Sequence, residues 1–271
     1  MKYFNSMGEV EEHRKTNPDI PIWQIVCDTP HAKNIHLNPN IPVGVRDGYY
    51  PLAVAASVNE IYTLVNSYHI IGKEITVLEH HVEQLAKPLE YDNKYSHPKM
   101  KVNKDIIDPL RFCIDLDIFE KDLAGNTPDE IAKQKIDKII SILKKKSVLS
   151  EMQDFIVLSS PFDKQRKKYS FHIILAKKNL LVKNQYSFLK LLKEVKQQDS
   201  RIDKMFPGFI TRVYKTGKYP MNQSKGRIFS CYTGIPETKT SDAFDSDRHF
   251  FEHTLMYAHD YHNDSEAYVL L

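Results

Sequence analysis

The nine residues Arg111-Phe112-Cys113-Ile114-Asp115-Leu116-Asp117-Ile118-Phe119 constrain this chain more than any other stretch. Their aliphatic and aromatic content predicts a strand. Side chains two apart on a strand point the same way, so Asp115 and Asp117 share one face while Ile114, Leu116 and Ile118 turn into a core. Two like charges then lie close together at the rim of an apolar sheet, which is costly unless a cation bridges them. Oxygen-only ligands favour Mg²⁺ or Mn²⁺ over zinc, which suits a site that handles phosphates. A plain exposed strand face is the alternative, because Asp-x-Asp is short and common.

Composition sets the outer limits. A chain of 271 residues can bury a sizeable core and suits one large domain or two closely joined lobes. Hydrophobic residues at 41% and charged residues at 27% are those of an ordinary globular protein, and a net charge of +3 is too small to identify a partner. Cys27, Cys113 and Cys231 lie far apart, which argues against a disulfide framework or a thiolate zinc site and for a reducing, intracellular compartment. Met1 to Glu12 carries charges where a secretory signal needs an apolar segment, and no apolar run of about 18 residues occurs. The expectation is a soluble, unexported protein that does not engage a membrane.

Along the chain, Met7 to Thr16 is a short polar amphipathic stretch, and the passage around Pro30, Pro39 and Pro42 reads as loop with short strands. Trp23, the sole tryptophan, sits in an alternating segment and is expected to fill a core, with base stacking the alternative. Ser57 and Glu60 form a capping-box pattern before a helix over about 57–68. Ile75 to Val77 reads as a strand, His80 and His81 as surface residues, and Glu90 to Lys104 as a polar connector.

Thr127-Pro128-Asp129-Glu130 combines an N-cap, a proline at the first helical position and a capping-box glutamate, and Ile131, Ile136, Ile139, Ile140 and Leu143 recur behind it at helical spacing. Lys144 to Lys146 suit the negative end of that helix dipole, with nucleic-acid contact as the other reading. Phe155 to Ser160, a basic loop from Pro161 to Lys168, and Tyr169 to Ala176 read as a hairpin. Asn184 caps a helix carrying Phe188, Leu189, Leu191, Leu192 and Val195. Phe209 to Tyr214 and Arg227 to Tyr232 are strand candidates on either side of a turn. In the tail, His249 and His253 are spaced to meet on a helix; an amphipathic helix packed by Phe250, Phe251 and Leu255 is preferred over a zinc site. The chain has no internal repeat and no Walker-type phosphate loop, so a helicase or ATPase motor is not encoded.

Two further constellations carry chemistry. Lys168, Ser170 and His172 stand at i, i+2 and i+4 of a strand, and a cation, a hydroxyl and an imidazole in a row can hold a triphosphate. A strand with one polar face is the bland reading. The turn from Val213 to Arg227, with Asn222-Gln223-Ser224-Lys225, is rich in small, amide and basic residues and can cradle a phosphate or a base edge, although basic turns are usually just solvated.

In this order, Asp-Leu-Asp, Lys-x-Ser-x-His and Val-Tyr with its Ser-Lys turn resemble the archaeo-eukaryotic primase superfamily. The similarity is to the branch from large DNA viruses and eukaryotic primase-polymerases, including the N-terminal domain of poxvirus primase-helicases. It spans roughly residues 108 to 232, and Ser170-Phe171-His172-Ile173-Ile174 and Asn222-Gln223-Ser224-Lys225 are its most specific pieces. The resemblance implies an α+β primase fold, an RRM-like catalytic sheet packed against a second α/β lobe. The expected element order from 111 to 214, strand–helix–strand–strand–helix–strand, agrees with a split βαβ arrangement. The expected organisation is an amino-terminal lobe over 1–104, a catalytic core over 105–240 and a helical tail over 241–271.

The resemblance further implies that Asp115 and Asp117 hold two Mg²⁺ or Mn²⁺ ions, that Lys168, Ser170 and His172 contact an incoming nucleotide, and that Lys225, with Arg227 nearby, lies near its phosphates. Arg166, Lys167, Lys144 to Lys146 and Arg212 are candidates for template phosphates. The family's third carboxylate falls at Ile210 here, and Asp203 takes that role if Met205 to Thr211 is an insertion. An arginine usual between the Tyr and the Ser-Lys turn is absent, with Lys218 or Pro220 near its place. The implied activity is that of a DNA primase or primase-polymerase, with single-stranded DNA and nucleoside triphosphates as partners and a separate replicative helicase as a further candidate. Two rivals remain: a two-metal nuclease or phosphodiesterase, and a weakened nucleic-acid-binding subunit suggested by Ile210.

Overall fold

The structure is a computed structural model that describes residues 1–27, 50–71, 75–80, 90–92, 97–99, 107, 109–177, 179–196, 211–216, 230–231, 238–258 and 269–271. It is an α+β protein with antiparallel sheets and, among the described residues, five α-helices. The chain divides into two compact units, Met1–Lys101 with Pro207–Ile228, and Val102–Phe206 with Phe229–Leu271. The tail thus groups with the second unit. Arg111 explains why: its backbone N–H donates to the Met256 carbonyl at 2.6 Å and its guanidinium donates to the carbonyls of Leu255 and Tyr257.

In the first unit, β1 (Lys2–Tyr3), β2 (Ile22–Cys27), β3 (Tyr50–Ala55) and β4 (Thr76–His80) form an antiparallel sheet in the order β1-β3-β2-β4. Helix α1 (Met7–Thr16) packs Val10 and Met7 with Phe4 onto Ile22, Ala53 and Ala55. Trp23 is fully buried and donates its indole N–H to the Ala56 carbonyl at 2.8 Å, the core role expected of it. Helix α2 (Val58–Ile70) starts on the complete Ser57/Glu60 capping box. The segment expected to be a polar connector instead contains β5 (Glu90–Asp92) paired with β6 (His97–Lys99). At three residues a strand, the ladder is too short for an alternation to announce it.

The second unit is built on β7 (Cys113–Phe119), β8 (Phe155–Asp163) and β9 (Lys168–Leu175), with β9 central and antiparallel to both neighbours. Helix α3 (Pro128–Lys145), capped by the Thr127/Glu130 box, crosses from β7 to β8 and packs against β9 with Ile131, Ile136, Ile139 and Leu143 fully buried. Ile140 is only half-buried. Helix α4 (Gln185–Lys196) begins where the Asn184 side chain accepts from the Ser187 N–H at 3.0 Å, and it packs against α3. Phe188, Leu191, Leu192 and Val195 form its buried row. Leu189, expected in that row, falls off its i, i+3, i+4, i+7 spacing and is 38% exposed. Lys146 pairs with Glu194 of α4 at 3.0 Å, so it joins the two helices.

The order β7-β9-β8 with a crossover helix is a split βαβ arrangement. The last strand of the expected pattern does not extend it. That strand, β11 (Thr211–Arg212), pairs with β4 in the first unit, while β12 (Ser230–Cys231) adds to the far side of β8. A short strand is placed by whichever sheet edge offers free backbone donors and acceptors, here Val77, whose carbonyl accepts from Val213 N–H at 3.0 Å. Near the tail, β10 (Leu180–Leu181) pairs in parallel with β13 (Val269–Leu270), and α5 (Asp247–Thr254) buries Phe250 and Phe251 as expected. Among the described residues no helix is long and apolar enough to cross a membrane.

Candidate nucleotide and metal site on the second sheet

On β7 the alternation resolves as the sequence predicts: Ile114, Leu116 and Ile118 are fully buried, whereas Asp115 and Asp117 are partly exposed. Each buried aliphatic chain contributes about 1.5–3 kcal/mol, which fixes the strand's facing and with it the two acids. Strand register then sets what they meet. Asp115 lies directly across from His172 and Asp117 directly across from Ser170, and Phe119 lies across from Lys168. Directly paired residues share a face with their Cβ atoms about 4.5–5.5 Å apart. Two of the predicted constellations, about fifty residues apart in sequence, therefore converge on one patch.

The contacts are specific. The Ser170 hydroxyl donates to Asp117 Oδ1 at 2.5 Å, and the Lys168 ammonium donates to Asp117 Oδ2. His172 Nε2 stands 3.7 Å from Asp115 Oδ1. Lys168, Ser170 and His172 are all buried, with the acids at the more open side of the patch. The arrangement differs from the expectation in one respect: Lys168, assigned to the nucleotide by resemblance, is held by an acid.

The hairpin joining β8 to β9 supports this end of the site. A one-residue bulge lies between Ser160, which pairs with Ser170, and Asp163, which pairs with Lys168. The strand thus runs on through Pro161, where a loop was expected, and Pro161 sits in the irregular step where no ladder N–H is needed. Asp163 is buried and its Oδ1 accepts from the backbone N–H groups of Gln165 and Arg166 at 3.1 and 3.0 Å. This tightens the turn and delivers Lys168 to the edge of the acids. Asp163 was legible in principle, since an aspartate accepting from amides two and three residues on is a common turn device. The exposed turn carries Lys164, Arg166 and Lys167, the last with φ 49°.

Ser160 is a second residue that sequence reasoning missed. It is 7% exposed, shares the row of Ser170 and Asp117, and its hydroxyl finds no hydrogen-bond partner among the described residues. No pattern of residue types could have indicated it, because only the register places it there.

Asp203, Lys225, Arg227 and Ile210 lie outside the described residues, as do His81 and the Asn222–Lys225 turn. Arg212 lies on β11 of the first unit. In the tail, His253 Nδ1 meets the His249 carbonyl at 2.9 Å and both rings pack against Phe244, His249 edge-on and His253 tilted, so this pair is built into α5 packing. Among the described residues no group of three or more His, Cys, Asp or Glu side chains is placed to hold a metal. Asp115 and Asp117 supply two carboxylates, the hard oxygen donors that Mg²⁺ or Mn²⁺ takes, and water commonly completes such a shell. Compared with known proteins, the chain matches no protein-family model and no curated protein.

Proposed function

We propose that the second unit is the catalytic core of a template-dependent nucleotidyltransferase of the DNA primase or primase-polymerase kind. The observation that carries this reading is the register of β7 against β9, which sets two acids directly across from a hydroxyl and an imidazole, with a lysine at the end of the row. Acids for metals and donors for phosphates on one rigid sheet face are what in-line transfer of a nucleotidyl group needs. The β7-α3-β8-β9 arrangement supports an RRM-like catalytic sheet, and the finer assignment to the primase fold is part of this proposal.

Asp115 and Asp117 would hold the divalent ions, with Asp203 as the proposed third carboxylate. When bound, the ions activate the attacking hydroxyl and offset charge on the leaving pyrophosphate. His172 and Ser170 orient the triphosphate by hydrogen bonds, and the buried aliphatic face behind β7 keeps the acids fixed while they do so. Arg166 and Lys167, on the exposed turn, are proposed contacts for template phosphates of single-stranded DNA. Lys225 and Arg227 remain proposed phosphate contacts, and Arg212 a proposed template contact.

The test is synthesis of a labelled primer on single-stranded DNA with Mn²⁺ and nucleoside triphosphates. Product that disappears in Asp115→Asn/Asp117→Asn supports the reading. Cleavage of the template instead supports the nuclease rival. DNA binding without synthesis, together with a silent Asp203→Asn, supports the weakened subunit, which Ile210 at the usual acid position favours.

A further inference from the structure

We propose that Lys168 is an internal stand-in for the metal: it neutralises Asp117 while the site is empty and is displaced on loading, when it passes to the nucleotide's phosphates. The inference rests on the nucleotidyltransferase reading, and it assigns Lys168 a second, opposing role within it.

Three observations carry it. Lys168 Nζ donates to Asp117 Oδ2 and Ser170 Oγ donates to Oδ1, so both oxygens of that carboxylate are engaged within the protein. The Lys168 side chain is only 10% exposed, so the ammonium is held at the acid and is not a surface charge that drifts there. The β8 bulge and the Asp163-bound turn fix the start of β9, which makes this placement a built feature of the hairpin.

A divalent ion shared by Asp115 and Asp117 would bring two positive charges against the ammonium already on Asp117. At such separations like charges repel strongly in a partly buried site. Metal alone is therefore disfavoured. Arrival of a triphosphate changes the balance, because its negative oxygens offer Lys168 a new partner beside the exposed Lys164, Arg166 and Lys167 turn. The device discourages metal from settling without substrate.

The experiment titrates Mn²⁺ alone into the full chain, followed by the spin-resonance signal of free Mn²⁺, and separately measures a fluorescent nucleoside triphosphate at saturating Mn²⁺. Lys168→Met should bind Mn²⁺ about tenfold tighter than the natural chain and the nucleotide about tenfold weaker, as expected for losing one close charge. Lys168→Arg, which keeps the charge, should leave Mn²⁺ binding weak. A merely structural lysine would not move the two affinities in opposite directions. Unchanged or weaker Mn²⁺ binding in Lys168→Met, with binding still lost in Asp115→Asn/Asp117→Asn, overturns this inference and leaves the metal site standing. Mn²⁺ binding that survives the double aspartate change, or is absent from every variant, overturns both. Circular dichroism of each variant separates these outcomes from misfolding.

Discussion

Both units bury polar side chains in antiparallel sheets, but they treat them in opposite ways. In the second unit the polar groups of β7 and β9 converge, and the acid Asp117 is met by both Lys168 and Ser170. In the first unit Gln24 lies in the middle of β2, across from Ala53 and Leu78, with no exposure and with neither amide atom finding a hydrogen-bond partner among the described residues. A buried amide of this kind costs stability, whereas a convergent row offsets the cost of each member with the others. The contrast teaches that burial of polar atoms is not itself a mark of a site. Mutual register is.

The comparison can be broken most severely at the acids. Asp115→Asn/Asp117→Asn should lower metal-dependent nucleotide incorporation on the order of a thousandfold or more, equivalent to about 4 kcal/mol. Its melting temperature should fall only modestly, since the asparagine oxygen can still accept from Lys168 while its NH2 donates to the Ser170 hydroxyl. A double variant that unfolds would make the acids structural partners only. On the reverse face of the same strand, Leu116→Ala should cost about 2–5 kcal/mol of stability, read by denaturant unfolding, because Leu116 is fully buried. Similar stability losses on both faces would erase the distinction between site and core.

His172→Ala should raise the nucleotide KM by roughly ten- to a hundredfold, about 1.5–3 kcal/mol, with little change in DNA affinity. An unchanged KM with lost DNA binding would favour a binding module. The smallest expected effect belongs to the first unit. Gln24→Leu should stabilise the protein by about 1 kcal/mol, because it removes two buried groups that lack partners among the described residues while keeping volume. A destabilised variant would show that Gln24 has a role the described contacts do not reveal.

Local pattern made part of this molecule legible. The capping boxes at Ser57 and Thr127, the alternation of β7 and the Asn184 cap depend on residues within one or two turns of one another, and each is present. Strands β5 and β6 were missed because a ladder of three residues a strand is too short to carry a readable alternation. The destination of β11 was missed for another reason, since two sheets compete for one short strand and nothing in Thr211-Arg212 decides between them. At the site, the residue types were readable but the hold of Lys168 on Asp117 was not, because it depends on the length of a hairpin and on one bulged residue.

That bulge governs how the sheet can change over time. Strand alternation is a frame of two, and one residue added or lost between Lys168 and His172 would turn part of the polar row toward the core and bring Phe171 or Ile173 outward. On β8 the frame is already broken between Ser160 and Asp163, past the two residues that β12 needs. Chain length can vary there without exchanging the two faces. Descendants of this sequence would be expected to drift in length on the β8 arm of the hairpin, while the β9 arm keeps its count.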